Sequence, residues 1–154
     1  MTISVTILRY GFSLAIGGFG MYRREWKFKF DASKVLAAVR AKIDFHDEHM
    51  AFWREKREEV MAEIRKDGIQ VNEKIALSLA NPKARDWERG GDVMIRNDLQ
   101  ISLTETFQKL GYHTRLRDTY DGWRQALEAA TDQTLALDID DWLFFFGRDT
   151  GTDE

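Results

Sequence analysis

The chain has 154 residues, 44% hydrophobic and 32% charged, with no cysteine, one proline and a formal net charge of −3. That length suits one domain with a buried core, and the composition excludes a disordered polymer, a disulfide framework, thiolate metal sites and a cysteine nucleophile. The acidic balance argues against a surface built throughout for nucleic acid, although residues 1–67 carry 13 basic against 10 acidic side chains and residues 68–154 carry 10 against 16.

Residues 1–30 read as an extended or β element. Ile3, Val5 and Ile7 alternate, as do Trp26, Phe28 and Phe30, with Gly17, Gly18 and Gly20 between them. A period of two turns the apolar side chains to one face, here toward a core. The first twenty residues are as apolar as a leader. Yet Arg23 and Arg24 follow the apolar run instead of preceding it, and Arg9 interrupts it, so neither a signal nor a membrane span is expected. Arg23, Arg24, Lys27 and Lys29 interleave with aromatic residues, the arrangement that a single-strand nucleic-acid binder uses.

A long helix is expected over residues 32–66. Leu36, Val39, Ile43, His46, Met50, Trp53, Arg57, Val60 and Ile64 follow in alternating steps of three and four, which lines one edge of a helix. Asp31 or Ser33 can cap its start, and Asp67-Gly68 ends it. Lys56–Glu59 and Glu63–Lys66 are spaced for ion pairs on the solvated side.

Residues 69–92 form the expected connection. The alternation of Ile75, Leu77 and Leu79 favours a short strand over a turn or two of helix, and Gly90-Gly91 supplies a joint. A second helical region covers 93–130, with one apolar stripe at Leu99, Leu103, Phe107 and Leu110 and another at Leu116, Tyr120, Trp123 and Leu127. Gly111 weakens it and invites a kink. Residues 135–147 make a short aromatic cap in which Asp140-Asp141 starts a helix, and 148–154 is a loose tail. The expected fold is mainly α, with two long antiparallel helices forming a coiled-coil-like hairpin in a single domain.

Three chemistries compete with this plan. His46, His49 and His113 are the metal candidates, with Asp118 beside His113. The Glu-x-x-His pattern of di-metal bundles is absent, since Ile43 and His46 precede the two helix-1 histidines by three. An acid/base site would use Asp140-Asp141 beside Trp142, but no catalytic constellation or phosphate loop surrounds them. Polar or bulky residues at seam positions instead fix register or partner. The expectation is a non-enzymatic interaction or scaffolding protein, cytoplasmic, without cofactor or membrane segment, forming a homodimer. Its contact residues would be Met50, Trp53, Arg57, Trp142, Phe144 and Phe145. The alternative is a nucleic-acid binder using Arg23, Arg24, Lys27 and Lys29.

Overall fold

The computed structural model describes residues 27–81 and 94–148. The expectations for the strand over 3–7, for Arg23, Arg24 and Trp26, for the Gly90-Gly91 joint and for most of the tail lie outside these residues. Among the described residues the chain is mainly helical, with four helices and one two-stranded antiparallel sheet. In order these are β1 (Phe28–Asp31), α1 (Ala32–Lys66), α2 (Glu73–Ala80), α3 (Asn97–Glu128), β2 (Thr134–Leu137) and α4 (Ile139–Phe146).

α1 begins directly after Asp31, so Ser33 lies inside the helix. Of the nine seam residues, Leu36, Val39, Ile43, His46, Met50 and Ile64 are buried, and Trp53, Arg57 and Val60 are half-buried. The opposite side is charged, and both expected ion pairs form there, Lys56–Glu59 at 2.7 Å and Glu63–Lys66 at 2.5 Å. Exposed pairs of this kind contribute only about 0–1 kcal/mol. Burial along the seam holds the helix.

α1 ends because Gly68 turns left-handed at φ +82°, with its N–H bonded to the Arg65 carbonyl at 2.9 Å. A Cβ at Gly68 would meet nothing within 4 Å, so its cost is conformational alone. Gly68→Ala is expected to lower stability by about 1 kcal/mol, read as a shift in the urea midpoint at unchanged m-value.

The strand expected around Ile75 to Leu79 is a helix. Asn72 caps α2 by accepting from the Ile75 N–H at 2.9 Å, and the buried residues are Ala76, Leu79 and Ala80, spaced by three and four. Two of those three are alanines, whose small apolar surface hardly registers in an alternation pattern. The large residues that suggested a strand divide: Leu77 is 56% exposed while Leu79 is buried.

α3 continues through Gly111 without a break. Its buried residues are Leu99, Leu103, Thr106, Leu110, His113, Tyr120, Trp123 and Leu127. Joined by the half-buried Leu116, they make a second seam of three-four steps, which takes in His113 and runs through Thr106 where the apolar pattern alone points to Phe107.

β1 and β2 pair with Phe28 opposite Leu137 and Asp31 opposite Thr134. Phe28 does not face a core as its alternation implied. It is 49% exposed and Phe30 is half-buried, whereas Leu135 and Leu137 are buried. β2 leads into α4, which packs on it, so the covered residues of the ribbon come from β2. α4 opens with a reciprocal cap: Asp138 accepts from the Asp141 N–H at 2.8 Å, and Asp141 accepts from the Asp138 N–H at 3.3 Å.

The described residues divide into two compact units. The first joins those up to Ile43 with those from Thr119 onward, and the second is Asp44–Asp118. In the first, the Ala32 N–H donates to the Gln133 carbonyl, Arg40 pairs with Glu128 at 3.1 Å, and Lys42 donates to the Gly147 carbonyl. In the second, Met61, Ile64, Val71, Ala76, Leu79, Ala80, Leu99 and Leu103 make one apolar cluster.

Candidate functional site

The sequence holds three histidines, and the second unit brings all of them together. His46 on α1 and His113 on α3 are each 0% exposed, with their Nδ1 atoms 2.9 Å apart. His49, one turn along α1, stacks on His113 at 5.0 Å between ring centroids, and its Nδ1 donates to the Phe45 carbonyl at 2.8 Å. Phe45 and Tyr112 set their rings edge-on to His46 at 5.2 and 6.5 Å. The setting is aromatic and buried.

Among the described residues no group of three or more His, Asp or Glu side chains is arranged to hold a metal ion. His46 and His113 turn Nδ1 toward each other, and Asp118, expected beside His113, is exposed and lies 3.7 Å from Arg117. Arg117 also reaches Asp47 at 3.1 Å. His113 had no apolar signal to mark it as a core position. Counting the three-four steps of α3 onward from Leu110 would have found it.

The next layers of the same unit contain three of the predicted contact residues. Met50 is buried, with the Thr114 hydroxyl 3.9 Å from its sulfur, so it serves the core and offers little to a partner. Trp53 is half-buried, edge-on to the exposed Phe52, with the Lys109 ammonium 5.7 Å from its ring. Arg57 lies over Phe107 at 5.4 Å and pairs with Glu73 at 3.0 Å. The Trp53 Nε1 and the Arg57 Nε are buried with no acceptor among the described residues.

The other three contact residues belong to α4, in the first unit. Phe145 is 1% exposed, edge-on to Trp123 at 5.4 Å, and is core. Phe144 stacks on Tyr120 at 4.7 Å, and the Tyr120 hydroxyl donates to the Phe144 carbonyl at 2.8 Å. Trp142 is half-buried and stacks on Phe146. What α4 presents outward is instead Ile139 and Leu143, one turn apart and 56% and 51% exposed. Sequence reasoning missed both, because an eight-residue helix that is apolar on nearly every side does not announce which side faces water.

The acid/base candidate resolves locally. Asp141 is buried, and burial raises its carboxyl pKa above the ordinary value. The backbone hydrogen bond from Asp138 opposes that rise, and the Asp138 charge adds to it. Its oxygen is engaged in the α4 cap. Asp140 is exposed.

Of the nucleic-acid candidates, Lys27 and Lys29 are exposed, on either side of the exposed Phe28. No helix among the described residues is long and apolar enough to cross a membrane. Comparison with protein-family models, with curated proteins and with solved structures finds no significant match.

Proposed function

We propose that this chain is a non-enzymatic helical interaction or scaffolding protein that self-associates, two copies meeting through the outer face of α4. The observation that carries this reading is the exposed set Phe28, Ile139 and Leu143, at 49%, 56% and 51%. Ile139 and Leu143 lie on one face of α4, and Phe28 stands opposite Leu137, two residues ahead of Ile139. Large apolar side chains exposed together mark interaction surfaces. A patch on one short helix can meet its own copy across a two-fold axis. Trp142 and Phe146 form the half-buried margin of this face.

The same reading takes α1 and α3 as a coiled-coil-like hairpin within each unit. Its support is the pairing order in the second unit: Met50 with Thr114, Trp53 with Lys109 and Arg57 with Phe107. As one residue number rises the other falls, which is the order antiparallel helices give. The cytoplasm is the proposed location, a reducing compartment that a cysteine-free chain suits.

Sedimentation tests the surface. The parent is expected at twice the monomer mass and Leu143→Lys at the monomer mass, because a desolvated ammonium at the centre of an apolar contact is strongly unfavourable. A monomeric parent, or an unchanged dimer in Leu143→Lys, refutes it.

A second reading, binding of single-stranded nucleic acid, has the exposed Phe28 between Lys27 and Lys29 in its favour. There, a salt-dependent mobility shift would disappear in a Lys27→Glu, Lys29→Glu variant.

A further inference from the structure

We propose that β1 pairs with β1 of a second copy along its open edge, with Phe30 on the two-fold axis. The pairing rests on the self-association proposed above and gives it a register. Among the described residues β1 has one strand neighbour, β2, so its other edge is unpaired. The Ala32 N–H donates to the Gln133 carbonyl at 2.9 Å, in line with the partners Phe30–Leu135 and Phe28–Leu137. Hydrogen-bonded and non-hydrogen-bonded positions alternate along an antiparallel pair. Phe28 and Phe30 therefore spend their backbone groups on β2. The backbone groups of Lys29 and the N–H of Asp31 point to the open edge.

A lysine on an edge strand ordinarily deters pairing. Here Asp31 supplies the opposite charge two residues on. Both side chains are exposed, and neither forms an ion pair among the described residues. Edges that meet about a two-fold axis run antiparallel. With Phe30 opposite Phe30 of the second copy, each Lys29 lies opposite the other copy's Asp31. Each Asp31 N–H then donates to the other copy's Lys29 carbonyl. The neighbouring registers set Lys29 against its own counterpart, or Asp31 against its own. An axis placed between residues opposes an outward-pointing position to an inward-pointing one and breaks the ladder. One register alone matches both charges.

The same register accounts for Phe28. It shares a face of the ribbon with Phe30, Leu135 and Leu137, as alternate and directly opposed residues do, yet it is 49% exposed. In the pair it lies opposite the second copy's Ala32 and gains cover there. α1 begins at Ala32, which confines the pairing to Lys29–Asp31. Three residues are too few to hold two copies alone. The α4 face supplies most of the burial, and the strand edge sets the alignment.

Charge reversal in the full chain tests this by sedimentation. Lys29→Glu places two carboxylates opposite Asp31, and Asp31→Lys places two ammonium groups opposite Lys29. Each variant alone is expected to dimerise about tenfold or more weakly than the parent. An equimolar mixture restores both matches, so it should recover the dimer mass at the parent's concentration. Undiminished self-association in either variant, or a mixture no tighter than its components, overturns the strand pairing. If Leu143→Lys is monomeric in that case, the α4 surface stands and the register alone falls. A monomeric parent removes both. Amide exchange of the parent decides if a variant does not fold: the Asp31 N–H should be protected in the parent dimer and open in Leu143→Lys. Equal exchange in the two refutes the pairing.

Discussion

Replacing Phe145 with alanine should cost about 3–5 kcal/mol, the range for emptying a buried aromatic site. Phe145 is 1% exposed, edge-on to Trp123 at 5.4 Å and to Phe144 at 5.1 Å. Its loss opens a cavity in the first unit where α4 meets the later part of α3. Small domains have about 5–15 kcal/mol in hand, so this change removes much of it. Denaturant unfolding and amide protection over residues 119–148 would report the effect. Phe144→Ala is the matched control. The carbonyl that the Tyr120 hydroxyl uses is backbone and survives the change, and Phe144 is only half-buried, so the loss should be clearly smaller. Equal losses at the two positions would mean that α4 docks through its whole circumference instead of through one buried edge.

Arg57→Met is expected to act in the opposite direction, raising stability by about 1–2 kcal/mol. The Arg57 side chain is 14% exposed, while its partner Glu73 is 70% exposed. Removing the guanidinium therefore strands no buried carboxylate, and Glu73 returns to water. The Arg57 Nε has no acceptor among the described residues, so its desolvation is not compensated there. Against this stands the contact with Phe107 at 5.4 Å, worth about 0.5–1 kcal/mol at an exposed site and up to about 2 kcal/mol for a desolvated cation. Methionine keeps most of the packing volume. A urea midpoint that falls in Arg57→Met would show that the cation over the ring outweighs the cost of burying it. A rise would leave a seam arginine that the fold does not need, as expected of a residue kept to recognise a partner.

The parts of this architecture that were legible in the sequence are those written in a long, regular period. Nine residues from Leu36 to Ile64 sustain one pattern, and all nine are buried or half-buried. Asp140-Asp141 marked the start of α4 for a local reason, since acidic side chains favour an opening turn, although the cap itself is Asp138. Short elements were less readable. Ile75, Leu77 and Leu79 alternate like a strand, but the local capping oxygen of Asn72 and the small buried alanines decide for a helix. The histidine cluster depends on the register between α1 and α3, which is a long-range property. His46 and His113 are 67 residues apart, and each alone reads as a polar interruption of an apolar stripe. Phe28, Ile139 and Leu143 were hidden for another reason. Composition says that such residues seek cover, and only the packed neighbours determine which of them lack it.

The pairing of Phe28–Asp31 with Thr134–Leu137 has a consequence for the order of assembly on the ribosome. The stretch Asp44–Asp118 is continuous in the chain and can begin to condense while translation proceeds. The other body has no such freedom. Its first strand leaves the exit tunnel about a hundred residues ahead of its mate, and a lone strand has nothing to hold it. A nascent chain stalled before Thr134 would therefore present one finished half and one waiting edge, a state in which chaperones or a neighbouring copy have their longest access.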